Sequence, residues 1–254
     1  MDTEKHPGCL IRRPASAAPH YRRAMDLNET LRTTGAVRNF HPEPIDDAVL
    51  HRLLDTARFA PSGGNRQGWR VIVVKDPDRR RQLRDLYLAD WYKYLALASA
   101  GLVPWAPLSD REAETAALAQ EPAYAEAAAA GPPGFAESLD TAPALLLVLA
   151  DLSALAAVDR DLPRYTFAGG ASIYPFVWSL LLAARAEGLA GVMTTIAVRR
   201  EDDVRALFDV PETCAVAALV VLGRPVTAAR RLRRRPVEDF AWIDRYQGPP
   251  LPGG

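Results

Sequence analysis

Residues Ser172–Glu187 place Ile173, Phe176, Val177, Leu180, Leu181 and Leu182 around nearly the whole circumference of a helix. A helix with one apolar stripe can lie on a protein surface, but one that is apolar all round must be covered on more than one side. This chain therefore needs either a core deep enough to hold a central helix or a second subunit against its far face. The densest apolar runs, Ala142–Ala150 and Pro175–Ala184, fall well short of the ~20 residues a membrane helix needs. They read as a buried strand and a buried helix. A chain of 254 residues, 49% of them hydrophobic, is long enough for one large core.

Other segments supply the partners for that helix. Asp26 or Asn28 can cap a short helix that runs through Leu31 to Thr34, with Gly35 placed to end it. A second helix starts near Asp46, carries Val49, Leu50, Leu53, Leu54 and Ala57 on one face, and stops at Pro61. Trp69–Val74, Leu145–Leu149, Gly191–Thr195 and Ala215–Leu222 have the composition of strands. Arg79–Leu88 and Glu201–Leu207 read as further helices. The pattern predicts an α+β fold in a single domain over 26–254. Residues 1–25, without periodicity, read as an N-terminal arm. Residues 91–142 hold an Ala-rich helical stretch ending in Gly131–Gly134 and read as a lid-like insertion. The segment from 224 has few aliphatic residues and reads as a C-terminal arm.

Composition narrows the function classes. The 31 basic and 31 acidic residues cancel, and general nucleic-acid binding draws its affinity from excess positive charge. Cys9 and Cys214 are too few for a disulfide scaffold or a thiolate cluster, and His6, His20, His41 and His51 do not form a metal set. With charges and prolines at the N-terminus instead of a signal peptide's apolar core, a cytoplasmic location is the default. There is no GxSxG elbow, no HExxH helix, no Walker-type loop and no strand–GxGxxG–helix fingerprint. A metallohydrolase or a Rossmann dehydrogenase is thereby disfavoured.

What the chain does hold is a set of polar and anion-friendly loops beside apolar elements. Arg32, Thr33, Thr34 and Arg38 bring guanidinium and hydroxyl donors to a helix end, and the guanidinium fork suits phosphate oxygens. Ser62–Gln67 offers small residues for close backbone approach, together with amide side chains. Arg230–Arg235 adds five arginines around Leu232. Each piece alone is an ordinary turn or a solvated surface. In sequence, however, Arg32–Phe40, Ala60–Trp69, Glu187–Thr195 and the basic stretch before Pro236 resemble the FMN-dependent nitroreductase family, over roughly residues 26–90 and 143–245.

That resemblance implies a mixed central sheet flanked by helices, arms exchanged in a homodimer, and two FMN sites at the subunit interface. It assigns Arg32, Thr33, Thr34 and Arg38 to the FMN phosphate and ribityl chain, and Arg234 to the phosphate. Pro61, Ser62, Gly63, Asn65 and Gln67 flank the flavin from the other subunit. Met193, Thr194 and Thr195 run along the isoalloxazine. Many relatives carry basic residues where this chain has Thr34 and Gly35, and relatives usually have proline in place of Gly68, a change that would loosen the loop. The implied chemistry is ping-pong hydride transfer from NAD(P)H through flavin N5 to an electron-poor acceptor such as a nitroaromatic, quinone or enone, with no dedicated acid–base residue. Trp91, Tyr92, Tyr94 and Trp105 could form an aromatic wall that selects a small-molecule substrate, or could simply pack the insertion. Two other readings share the same loops: an FMN-dependent oxidase or desaturase using oxygen, and a non-catalytic flavin-binding protein.

Overall fold

The computed structural model describes residues 26–164, 167–227 and 230–253; the expected N-terminal arm, residues 1–25, lies outside them. Four strands, β1 (Trp69–Val73), β2 (Ala144–Asp151), β3 (Ala190–Thr194) and β4 (Cys214–Gly223), form one sheet in the order β1-β2-β4-β3. Each neighbouring pair runs antiparallel. The expected mixed sheet is therefore corrected. Its parallel component is confined to a bridge between Ala36 and Gly191, because only a short extended segment, not a strand, reaches the outer side of β3.

Apolar residues fill both faces of the sheet. Leu146 and Val148 of β2 and Ala218, Val220 and Leu222 of β4 point toward α2 (Asp47–Ala57) and α6 (Tyr174–Ala186). Leu145, Leu147 and Leu149, with Val216, Leu219 and Val221, point the other way. There they meet Leu83 and Tyr87 of α3 (Pro77–Ser99) and Val204 of α7 (Glu201–Leu207). Strands covered on both sides lose the alternation of apolar and polar residues, which is why these two read as continuous apolar runs. A register shift beside Val148 and Leu149 lets Ala217 and Ala218 both face α6. The apolar helix α6 is buried at Phe176, Val177 and Leu180, yet it leaves Tyr174 and Trp178, one turn apart, 40% exposed.

Helix α3 is longer than its sequence pattern suggested. It does not stop at Leu88 but runs to Ser99, so Trp91, Tyr92 and Tyr94 belong to its second half. The rest of the expected insertion follows it as α4 (Arg111–Leu118) and α5 (Glu121–Ala130). Arg80 clamps the base of this excursion: its Nε donates to Val74 O at 2.8 Å and its Nη1 to Asp140 O and Ala142 O at 3.0 and 2.7 Å. Among the described residues no helix is long and apolar enough to cross a membrane.

A buried carboxylate fixes the turn that follows β3. Asp90, on α3, is 2% exposed. It accepts from Lys93 Nζ at 3.2 Å, from Arg199 Nε at 3.1 Å and from Arg200 Nε at 2.8 Å. The two arginines lie in the single 3-10 turn Ile196–Arg200, so Asp90 ties that turn to α3. Burial alone would raise the Asp90 pKa, but the hydrogen bonds from Arg199 and Lys93 and the charges of Lys93 and Arg200 outweigh it and hold the carboxyl below its usual range.

Two stability outcomes follow from this packing. A Cβ on Gly191 would overlap Val221 O and Leu222 Cδ2, and a carbonyl in a paired strand cannot step aside. Gly191→Ala should cost about 3 kcal/mol or more, read as a Tm fall of roughly 6–12 °C in a calorimetric scan. Asp90→Ala removes the carboxylate from three part-exposed cations and should cost about 1–3 kcal/mol in urea unfolding at neutral pH. A carboxyl whose pKa is depressed by folding stabilises above its ordinary value and stops doing so as pH falls through the folded value. The gap between Asp90→Ala and the unaltered protein should therefore narrow below the ordinary aspartate value of 3.8.

Candidate functional site

Helix α1 (Leu27–Thr33) begins at Asp26, whose side chain accepts from Glu29 N. It ends at Thr34, in extended backbone, not at Gly35. The chain then runs along the free edge of β3: Ala36 bridges Gly191, and Val37 N donates to Gly191 O at 2.9 Å. The segment leaving β4 covers it from outside. His41 N donates to Arg224 O, Val226 N to Asn39 O, and Leu232 N to Arg32 O at 2.8 Å. At Gly35 a Cβ would lie 2.9 Å from Leu232 Cδ2, so a larger residue there requires the leucine side chain to turn aside.

Three of the four motif blocks meet around one cavity of about 200 Å³ at this edge. Thr33, Thr34, Gly35 and Ala36 line it, with Arg185 of α6, Gly191 of β3, and Thr227, Arg230 and Leu232 of the C-terminal segment. Among the described residues no carboxylate lines it. Thr33 and Thr34 are buried, but their hydroxyl protons go to Glu29 O at 2.7 Å and Thr30 O at 2.8 Å. Arg32 and Arg234 are exposed and do not line the cavity; Arg234 Nη1 donates to Arg233 O. Arg185 does face it, and its Nε is buried without a hydrogen-bond partner. Of the arginines in the sequence motifs Arg230 reaches the cavity, whereas Arg32 and Arg234 do not, and Arg185, outside every motif, does. Arg38 lines a neighbouring opening of about 500 Å³, where its guanidinium lies 5.8 Å over the Phe135 ring.

The floor beyond the cavity is β3 itself. Met193 is 39% exposed, and Thr194 Oγ1 pairs with Tyr87 OH at 3.1 Å. Burial pushes the Tyr87 phenol up to about 12, against the hydrogen bond to Thr194 and the charge of Arg38. It remains a neutral phenol at ordinary pH. Thr195 O accepts from Val198 N and opens the turn held by Asp90. Tyr87 falls inside the helix expected over Arg79–Leu88, where nothing local marks it as a site residue. Its signal was the helical spacing Leu83, Tyr87, Trp91, Tyr94.

From Tyr87 a run of rings extends along α3. Tyr87 and Trp91 have centroids 5.9 Å apart, Trp91 and Tyr94 5.3 Å, and Tyr94 and Trp105 6.3 Å. Arg199 sits 4.1 Å over the Trp105 ring. Three of the four expected wall aromatics therefore stack together. Tyr92 does not join them; its hydroxyl donates to Glu137 at 3.1 Å.

The remaining block lies elsewhere. Gly64, Asn65 and Gln67 all have positive φ (60°, 53° and 52°), a tight geometry for the two non-glycine residues. Gly63 N donates to Ser172 Oγ at 3.0 Å and Gln67 N to Ser62 Oγ at 3.0 Å, while Pro61 stays exposed. Gly68 does not loosen this loop. It is buried, a Cβ there would meet Ala154 and Leu155 at 3.1 and 3.3 Å, and its carbonyl accepts from Asp151 N at 2.7 Å. The loop leads into β1, one edge of the sheet, whereas Met193–Thr194 occupy β3, the other. Three strand spacings, ~14 Å, separate those edges within one chain.

Comparison with known proteins matches residues 31–224 to the Nitroreductase family. An NADH dehydrogenase of Thermus thermophilus is 29% identical over 204 residues, 80% of this chain and 88% of that protein. A 5,6-dimethylbenzimidazole synthase of Rhodospirillum rubrum is 31% identical over 199 residues, 74% of this chain and 77% of that protein. The fold is shared with the NADPH:FMN oxidoreductase of Vibrio harveyi complexed with NAD+, with a TM-score of 0.57, 19% identity, and coverage of 87% of this chain and 77% of that one. With an α+β sheet flanked by helices, motif blocks gathered at one sheet edge, and a family match across most of its length, the chain belongs to the nitroreductase family and is an oxidoreductase.

Proposed function

We propose that this protein is an FMN-dependent NAD(P)H oxidoreductase that acts as a homodimer, with each cofactor site between the β3 edge of one copy and the 61–67 loop of the other. The observation that carries this reading is the division of the motif residues between opposite edges of one sheet. A two-fold partner can bring the two halves together. Exposed apolar side chains support that assembly: Leu27 and Leu31 of α1 and Tyr174 and Trp178 of α6. Such a patch is unusual on a monomer.

The donor set suits FMN. Among the described residues two arginines and no carboxylate face the cavity, matching a phosphate, and the part-exposed Met193 of β3 offers an apolar contact for a ring system. When bound, FMN supplies acceptance of hydride from NAD(P)H and its delivery to an electron-poor acceptor. The chain's own residues bind, orient and exclude. Tyr87 keeps its proton and holds the Thr194 side chain in one orientation. Asp90, paired with Lys93, Arg199 and Arg200, fixes the turn after Thr195. On this reading residues 26–254 form one FMN domain, with 91–142 as its lid-like insertion and the segment from 224 as its arm. Trp91, Tyr94 and Trp105 then give the insertion an apolar stack for an aromatic acceptor.

The test is the visible spectrum of the purified protein, recorded anaerobically before and after NADPH and then NADH. The expected result is a yellow protein whose flavin bands bleach within seconds. Flavin bands that persist with both nucleotides would move the reaction to an oxidase or desaturase reduced by its own substrate. A colourless protein that stays colourless with added FMN would overturn the reading.

A further inference from the structure

We propose that Arg185, which lies outside every motif of the family resemblance, is the main ligand of the cofactor's phosphate, with Arg230 beside it. This rests on the FMN reading above and replaces the roles that sequence gave Arg32 and Arg234. The guanidinium of Arg185 is unusually placed. Its Nε is buried with no hydrogen-bond partner, and its Nη2 reaches Thr33 Oγ1 only at 3.5 Å. A buried N–H left unsatisfied is costly. A cation in the last turn of α6 is favourable to the helix dipole by itself, but that interaction neither satisfies the Nε–H nor requires the side chain to face a cavity.

The cavity has the room and the charge that a phosphate needs. At about 200 Å³ it holds several groups of water size, each occupying roughly 30 Å³. Its charged lining residues are Arg185 and Arg230. A phosphomonoester accepts the two parallel N–H bonds of a guanidinium fork and neutralises the pair. Thr33 and Thr34 cannot donate there, because their protons are already given to helix carbonyls. A basic side chain at position 35 would have to displace Leu232. The positive charge missing from positions 34 and 35 is thus supplied across the cavity, from α6.

Fluorescence titration of the apoprotein with FMN and with riboflavin, which lacks the phosphate, tests this. FMN should bind more tightly than riboflavin. Arg185→Gln should weaken FMN about ten- to a hundredfold and leave riboflavin unchanged, Arg230→Gln should act in the same direction, and Arg185→Lys should recover part of the loss. Equal affinity for the two flavins in the unaltered protein, or an unchanged ratio in Arg185→Gln, would overturn the proposal while leaving flavin binding intact. Failure to bind either flavin would instead overturn the functional reading beneath it. Should Arg185→Gln not fold, inorganic phosphate titrated against the unaltered protein decides: it should compete with FMN and not with riboflavin, and no competition overturns the proposal.

Discussion

The outer strand of an open sheet must hide its unpaired backbone groups, and β3 does so with the hydrogen bond from Val37 N to Gly191 O. Much else depends on that contact. It draws the segment after α1 across the sheet edge, where the chain leaving β4 can lie over it through Leu232 N and Arg32 O. Gly191 permits the approach because a side chain there would strike the neighbouring strand. Covering the edge in this way, without adding a strand, leaves a hollow between three pieces of chain far apart in sequence. The candidate site is a by-product of closing the sheet.

The far side of β3 is governed by charge. Asp90 is a buried carboxylate paired with three part-exposed cations, and it connects α3 to the turn that ends the strand. Through Tyr87 and Thr194 the same helix also touches the strand face. The position of Met193, Thr194 and Thr195 is therefore set from behind by one long helix. That arrangement explains why α3 extends through its aromatic half: the residues that reach β3 and those that stack with Trp105 are successive turns of one rod.

Much of this was legible in the sequence. Strands β2 and β4 are legible because both-face burial gives unbroken apolar runs, and β1 and β3 because of their strand-favouring composition. The order of the polar blocks pointed to the family. Three things were not legible. The length of α3 was hidden because Trp91–Tyr94 looked like the start of something new, although no breaker separates them from Leu88. The contact between Gly35 and Leu232 was hidden because the two are far apart in sequence. Arg185 was hidden because a basic residue in the last turn of a helix is ordinary, and only the fold shows what lies in front of it. Local patterns register elements, whereas a site made of distant segments needs their packing.

The placement of the 61–67 loop and β3 at opposite sheet edges has a genetic consequence. In the proposed assembly each site takes its loop from one copy and its anion-binding wall from the other. A chain damaged only in the loop and a chain damaged only at the wall are then not defective in the same half. Mixed pairs of the two contain one site built entirely from intact halves and one built entirely from damaged ones. Two inactive alleles of this protein would complement each other, while two lesions on the same edge would not.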